Sequence, residues 1–269
     1  MAGLKKAVRK ATGRPSPRLL TVKEAFFLTP NMIRVVFAGP GLEDFPEGRD
    51  GGHCKIMIPE ADETKEAFAA RLSDGPPPKR RTYTVRSFDA VKGELAIDFV
   101  AHGDNGPASA WAYRATAGSF LGFAGPAYPK LTEFDADWYL IAADPSAFPM
   151  AAATLESMPR DVRGVAIFEI TAEADRQEID MPPGIESHWV IHADPQSPSS
   201  AQEEFVRSLE WPNGRVRTCI AGESGVIRAL RDFLHNEKQV PRGDTYISGY
   251  WKIGLVEDEH QKFKNSAAG

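Results

Sequence analysis

The first half of the chain consists of short apolar runs separated by turns rich in glycine and proline, a pattern typical of antiparallel β-structure. Two apolar runs within 19–38 flank Pro30-Asn31, which predicts a hairpin with its turn at that dipeptide. Segment 60–79 is polar and proline-rich, which indicates an excursion over the surface. Further short strands are predicted at 53–59, 81–87, 94–100 and 119–125. Six such strands and one helix after residue 106 predict a small closed Greek-key barrel.

The second half changes to apolar runs that alternate with helical stretches, which predicts βαβ units and a parallel sheet. Strands are predicted at 138–142, 165–170, 189–192, 217–221 and 245–250. Helices are predicted at 145–157, 200–210 and 224–238. Asp144 and Pro145 are predicted to be the N-cap and the first residue of the first of these helices. The glycine turn at 222–225 opens the last one, at the edge where open α/β sheets bind ligands.

The change of pattern predicts a hinge at 125–130 between two domains. We predict an antiparallel barrel domain over 18–127 and an α/β domain over 128–269, with a terminal helix that begins near residue 257. Residues 1–17 form a basic tail that is expected to be solvated. The alternative for this tail is an electrostatic docking segment for an acidic protein such as a ferredoxin.

The composition fits a globular protein of this size. A chain of 269 residues, 42% of them hydrophobic, is long enough for two cores. No apolar run approaches the roughly 18–20 residues that span a bilayer, and the first residues lack the apolar segment of a signal peptide. We therefore expect a cytoplasmic monomer without membrane insertion. Cys54 and Cys219 are predicted to be buried thiols, and the net charge of −5 argues against nucleic-acid binding.

One predicted strand combines a cation, an aromatic ring and hydroxyl groups, in Arg81, Thr82, Tyr83 and Thr84. Because strand side chains alternate, Arg81 and Tyr83 are expected on the same face. That face suits a ligand that is both anionic and aromatic, such as a flavin dinucleotide: the arginine pairs with a phosphate, the tyrosine stacks on the isoalloxazine, and Thr84 bonds the ring edge. The alternative is a set of solvated charges around a half-buried tyrosine.

A second motif, G-P-A-S at 106–109, precedes a predicted helix. Backbone N–H groups at a helix start, with a serine hydroxyl and no bulky side chain, predict an anion site. The two motifs, in this order and spacing, resemble the ferredoxin-reductase-like flavoproteins. The longer string D-F-V-A-H-G at 98–103, followed by G-P-A-S and Trp111, resembles the siderophore-interacting proteins, which are FAD-dependent ferric-siderophore reductases. G-Y-W-K at 249–252, before an acidic run, resembles the same family, so the resemblance covers about residues 18 to 262.

The resemblance implies a flavin-binding barrel followed by a domain like those that bind nicotinamide. The FAD-binding residues are then expected to be Arg81, Thr82, Tyr83, Thr84, Asp98, Val100, His102, Gly106, Pro107, Ala108, Ser109 and Trp251. The residues of a basic pocket for an anionic ferric siderophore are expected to be Lys55, Lys130 and Lys252, with a solvated surface charge as the alternative for each. No residue is predicted to act as a covalent or acid–base catalyst, and none to bind a metal directly.

Asp144, Gly222 and Glu223 are predicted to face the electron donor. Where the family commonly carries D-E-T-A-x-P-A, this chain has D-P-S-A-F-P-M from residue 144, and Pro145 removes a backbone N–H. Both NAD(P)H and a reduced ferredoxin therefore stay open as donors. The implied activity is FAD-dependent reduction of an Fe(III)-siderophore to release Fe(II). The alternatives are a flavoprotein that exchanges electrons with a ferredoxin-like protein, and a siderophore-binding or delivery protein with little turnover.

Overall fold

A computed structural model describes residues 17–103 and 106–255 of the chain, and their strands form two sheets. Nearly all of the predicted basic tail and the predicted terminal helix lie outside the described residues. None of the helices in the described part of the chain is long and apolar enough to cross a membrane. Both cysteines are free and buried, as predicted.

The first sheet has seven antiparallel strands in the order β4-β3-β7-β1-β2-β6-β5. Their bounds are β1 (Arg18–Thr29), β2 (Met32–Ala38), β3 (His53–Ile58), β4 (Lys79–Thr84), β5 (Ser87–Asp89), β6 (Glu94–Val100) and β7 (Phe120–Ala124). The end strands β4 and β5 are consecutive in the chain: Val85 N–H donates to Gly52 C=O on one side, and Arg86 N–H donates to Ala96 C=O on the other. The sheet therefore curls back on itself as a half-barrel, which confirms the predicted antiparallel barrel class.

One detail of that prediction, the extent of its fourth strand, is wrong. The strand predicted at 81–87 is divided between β4 and β5, because the chain changes pairing partner at Val85–Arg86, and the count rises from six strands to seven. The predicted surface excursion contains a helix, α1 (Lys65–Asp74). Thr64 caps it by accepting a hydrogen bond from Ala67 N–H, and Phe68 is fully buried beneath it. The prolines at 76–78 all follow this helix.

The half-barrel core is filled by inward-facing strand residues, among them Phe37, Phe99 and Phe123. Helix α2 (Pro107–Arg114) lies against this core through Trp111, whose ring centroid is 6.3 Å from that of Phe37 and 5.7 Å from that of Phe99. Packing of these large rings fixes the position of α2 and of its N-terminus on the barrel.

The second sheet is parallel, with the order β10-β9-β8-β11-β12. Its strands are β8 (Trp138–Ala143), β9 (Gly164–Ile170), β10 (Ile185–Ile191), β11 (Val216–Glu223) and β12 (Thr245–Trp251). Its helices are α3 (Phe148–Ser157), α4 (Ala201–Ser208) and α5 (Ser224–Asp232), the last continued by a π-helical turn over Phe233–Glu237. Tyr139 and Ile141 belong to one apolar cluster and Leu140 to another, so β8 is buried on both faces, as expected for a central parallel strand.

Two polar contacts join the sheets. Arg86, between β4 and β5, donates two hydrogen bonds of 2.7 and 2.5 Å to the Glu156 carboxylate on α3. Asp175, in the loop after β9, accepts from the Thr29 hydroxyl at 2.8 Å and from both the backbone and the side-chain amide of Asn31. The β1–β2 turn is therefore attached beside the carboxyl end of β9.

Candidate functional site

The N-terminus of α2 contains a buried hydroxyl group that forms no hydrogen bond within the described part of the chain. Ser109 is 1% exposed, and its Oγ makes no hydrogen bond to any described residue. Helix geometry leaves the N–H groups of Ala108 and Ser109 without intrahelical acceptors. A side chain on Gly106 would begin 3.2 Å from Cε1 of His102, so the imidazole lies against the helix start. Native proteins seldom leave a buried hydroxyl unpaired, and this set of donors fits a phosphate group.

Strand β4 places Arg81 and Tyr83 on one face, as the alternation of strand side chains predicts. Arg81 pairs with Ile56 and Tyr83 with Cys54, whereas Thr82 pairs with Lys55 on the opposite face. The Tyr83 ring is half-buried, with its centroid 4.5 Å from that of Phe99 at the edge of the barrel core. Arg81 is also half-buried, while Thr84 is buried and Thr82 exposed. This strand therefore presents a cation and an aromatic ring side by side, and their contacts with FAD stay predictions.

Asp98 has a fully buried carboxylate that is engaged by arginine. Arg34 Nε donates to Oδ1 at 2.7 Å and Nη2 donates to Oδ2 at 2.8 Å, while Arg86 Nε lies 3.9 Å from Oδ2. Because both carboxylate oxygens accept hydrogen bonds from Arg34, the predicted contact of Asp98 with FAD would have to use the Asp98 backbone or pass through the Arg34 side chain. Val100, the other β6 residue predicted to bind FAD, is half-buried and pairs with Met32.

At the carboxyl edge of the parallel sheet, the structure brings together Asp144, Gly222 and Trp251. Trp251 Nε1 donates to Asp144 Oδ2 at 2.6 Å. A side chain on Gly222 would begin 2.8 Å from the same oxygen, so the end of β11 approaches Asp144 only because residue 222 is glycine. Burial raises the pKa of Asp144, although the hydrogen bonds from Ser146 and Trp251 oppose that rise.

The predicted start of the first helix in this half is wrong. Helix α3 begins at Phe148, and Asp144 caps the turn before it by accepting from the N–H groups of Ser146 and Ala147. Pro145 lies in that turn rather than at the first helical position. The opening of α5 agrees with the prediction: Glu223 caps it by accepting from Gly225 and Val226 N–H groups.

A cleft at this edge contains an acidic group that the sequence analysis missed. Glu169, next to the carboxyl end of β9, lines the cleft with Asp144, Glu223 and Trp251. Its Oε2 accepts a hydrogen bond from Ser199 Oγ at 2.6 Å, and burial raises its pKa. Glu223 Oε1 accepts from Ile253 N–H at 3.3 Å, which fixes the segment after β12. The position of Glu169 in an apolar strand, one residue from its end, was the available signal.

Two of the three predicted pocket lysines, Lys55 and Lys130, act on the same histidine, His53. Burial, then the charges of Lys130 and Lys55, lower the pKa of His53. Lys130 Nζ lies 5.8 Å from the Tyr246 ring centroid, and Lys55 Nζ bonds the Thr82 hydroxyl. Lys252 follows Trp251 at the far end of β12 from Tyr246, so its approach to the other two lysines stays a prediction.

Comparisons with known proteins agree with this architecture. Residues 21–130 match the model of the siderophore-interacting FAD-binding domain, and residues 136–254 match that of the siderophore-interacting protein. The ferric vibriobactin reductase ViuB of Vibrio cholerae is 33% identical, over 93% of this chain and 94% of its own. The crystal structure of the siderophore-interacting protein SipS from Aeromonas hydrophila superposes with a TM-score of 0.82 and 31% identity, over 94% of this chain and 98% of that one.

A more distant similarity concerns the fold alone. The ferredoxin-NADP+ reductase of Plasmodium falciparum has a TM-score of 0.63 at 14% identity, over 87% of this chain and 96% of its own. Both sheets therefore have the arrangement of ferredoxin-reductase-like flavoproteins. The two family models and the similarity to ViuB show that the chain belongs to the siderophore-interacting protein family.

Proposed function

We propose that the protein is an FAD-dependent ferric-siderophore reductase that acts in the cytoplasm. The observation that carries this proposal is the unpaired, buried Ser109 hydroxyl at the start of α2, in a chain whose family model for this half is an FAD-binding domain. When bound, FAD accepts two electrons together and delivers them one at a time, which couples a two-electron donor to Fe(III).

The residues of the half-barrel would hold FAD by its two chemically different parts. Ser109, the first N–H groups of α2 and the Arg81 guanidinium bind the diphosphate. Tyr83 stacks on the isoalloxazine, and Thr84 bonds its edge. Asp98 holds Arg34 through two hydrogen bonds of 2.7 and 2.8 Å and so stiffens the adjacent strands.

Lys55 and Lys130, joined by Lys252, would attract an anionic ferric chelate to the side of the flavin. Siderophores bind iron through hard oxygen donors, which favour Fe(III) over Fe(II). Reduction therefore weakens iron binding by the siderophore, and the protein needs only to hold the ferric chelate beside the flavin.

The acidic cleft favours NADH over NADPH among nicotinamide donors. The strand order of the parallel sheet is that of dinucleotide-binding folds, in which an acidic residue after the second strand binds the ribose 2′-hydroxyl. Glu169 lies at the carboxyl end of β9, the second strand of this sheet, and a 2′-phosphate beside its carboxylate would be repelled. Reduced ferredoxin is the competing donor. Pro145 removes a backbone N–H from the edge that would otherwise contact a nicotinamide, which weakens the case for a nucleotide donor.

Anaerobic kinetics test the proposal. Flavin-loaded protein is mixed in stopped flow with NADH, NADPH or reduced ferredoxin, and the reduced protein is then mixed with a ferric catecholate or hydroxamate and an Fe(II)-trapping chelator. Multiple turnovers with a donor in excess are expected. A reduced flavin that yields no trapped Fe(II) would indicate an electron carrier, and a chelate that binds without turnover would indicate a delivery protein.

A further inference from the structure

Arg49 and Tyr128 form a stacked pair in which the arginine is half-buried and the tyrosine is exposed. The Arg49 Cζ atom lies 3.3 Å from the Tyr128 ring centroid, well inside the roughly 6 Å limit of a cation–π contact. The tyrosine is 70% exposed, so the face of its ring opposite the guanidinium is directed toward solvent.

Among the residues that the structure describes, the Arg49 guanidinium has no compensating anion. Its Nε and Nη1 are buried and lack an acceptor within residues 17–103 and 106–255, and no carboxylate of that part of the chain forms an ion pair with it. Buried charged donors are normally satisfied, because an unpaired one costs its full desolvation energy. The positive charge is thus held directly behind an exposed aromatic ring.

This pair lies beside the lysines assigned to the substrate pocket. Tyr128 is two residues from Lys130, and both side chains are exposed whereas Pro129 between them is half-buried. The preceding residue, Ala127, donates its N–H to His53 C=O at 2.9 Å, and His53 is the imidazole on which Lys130 and Lys55 act. Tyr128 is therefore adjacent along the chain to Lys130, and the hydrogen bond from Ala127 holds this segment against β3, the strand that carries Lys55.

We infer that Arg49 and Tyr128 form an aryl subsite of the chelate pocket, which selects ferric siderophores with catecholate or phenolate rings over purely hydroxamate ones. This inference rests on the proposed function. An anionic, electron-rich aryl ring stacks on the open face of Tyr128 while the guanidinium behind that face balances its charge. A hydroxamate chelate has no ring to place there.

Gallium complexes test the subsite without turnover, because Ga(III) matches Fe(III) in charge and coordination but is not reduced by flavins. Binding of a Ga(III) tris-catecholate and of a Ga(III) tris-hydroxamate to the flavin-loaded protein is measured by calorimetry. Tyr128→Leu and Arg49→Met are each expected to weaken catecholate binding about five- to tenfold and to leave hydroxamate binding within about twofold. Phe26→Leu, an exposed aromatic on β1, is the matched control and should change neither.

Tyr128→Phe separates stacking from the hydroxyl group, and it should bind both complexes as the wild type does. Equal losses for the two complexes in Tyr128→Leu, no loss for either, or a loss in Tyr128→Phe would overturn the subsite. Fe(II) trapping with the wild type tests the parent proposal separately. Reduction of ferric catecholate with unchanged binding in Tyr128→Leu refutes the subsite alone, whereas ring-dependent binding without reduction refutes the reductase alone.

Discussion

The indole Nε1 of Trp251 donates a 2.6 Å hydrogen bond to Oδ2 of Asp144, which joins the end of β12 to the residue after β8 across the end of β11. This bond stabilises the charged form of Asp144, which burial disfavours. It also places Trp251, which is predicted to bind FAD, in direct contact with Asp144, which is predicted to face the electron donor, so a change to either residue is expected to affect the other.

The pH dependence of stability should report this pair. Burial raises the folded-state pKa of Asp144 above that of the unfolded chain, so between the two values the folded protein binds more protons and its stability falls as pH rises. Asp144→Asn removes that dependence, and its stability relative to the wild type should increase with pH. Urea unfolding of both proteins at about pH 4.5, near the ordinary Asp pKa, and at about pH 8 measures the difference in their free energies of unfolding.

Trp251→Phe provides the complementary measurement. Loss of the indole N–H removes a bond that lowers the Asp144 pKa, so stability should decrease by about 1–3 kcal/mol at the higher pH and by less at the lower one. An equal loss at both pH values would show that the effect comes from packing of the ring rather than from the carboxylate.

The local features of the site were predictable because they depend on neighbouring residues. Strand alternation predicted the shared face of Arg81 and Tyr83, and the G-P-A-S motif at 106–109 predicted a nearby helix start, which the structure places within the motif at Pro107. Contacts between distant residues were not predictable in this way. Arg34 and Asp98 are 64 residues apart, and nothing near Asp98 in the sequence indicates that an arginine covers its carboxylate.

The helix α3 shows why one local prediction was wrong. An aspartate followed by proline is a good helix start, yet Asp144 caps a turn that precedes the helix, and its other carboxylate oxygen is bonded by Trp251, 107 residues away. The same limitation applies to Glu169, which becomes recognisable as a cleft residue only when β8, β9 and β11 are aligned in the sheet.

Ser109→Ala should affect the flavin-free and flavin-loaded proteins in opposite directions. Removing a buried hydroxyl without a partner should leave the flavin-free protein equally stable or slightly more stable. The same change should weaken FAD binding about five- to tenfold, because one hydrogen bond to a phosphate is lost. Thermal unfolding and flavin-fluorescence titration measure the two effects.

Ser73→Ala, on the exposed side of α1, is the control for serine removal. Destabilisation of the flavin-free protein by Ser109→Ala would show that Oγ has a structural partner. Unchanged FAD affinity would remove Ser109 from the diphosphate site.

Glu169 should control discrimination between the two nicotinamide donors. Glu169→Gln should reduce repulsion of a 2′-phosphate, and Glu169→Arg should attract it. The ratio of kcat/KM for NADPH to that for NADH is therefore expected to rise in both variants, by about tenfold or more with arginine. Glu173→Gln, an exposed glutamate just after β9, should leave the ratio unchanged. Failure of both nucleotides to reduce the wild-type flavin would instead favour ferredoxin as the donor.

The lysine pocket can be tested through His53, because Lys130 and Lys55 lower its pKa from nearby. Lys130→Met should raise the His53 pKa, Lys55→Met should raise it less, and the double variant should raise it most. Titration of the imidazole C–H signals by NMR, with His53→Gln for assignment, measures these shifts. In the same variants the KM for an anionic ferric chelate should increase severalfold at low salt, with the flavin spectrum unchanged.

Lys252→Met discriminates between two arrangements of the pocket. Its removal should raise the KM for the anionic chelate, and the His53 pKa in this variant, compared with that in Lys130→Met, shows whether the two lysines lie equally close to the imidazole. Lys92→Met, an exposed lysine in the turn before β6, should change neither quantity. A KM that stays the same in Lys252→Met but increases in Lys130→Met would restrict the pocket to the side of β3. A KM that stays the same in every variant would show that the chelate binds elsewhere, whatever the histidine titration reports.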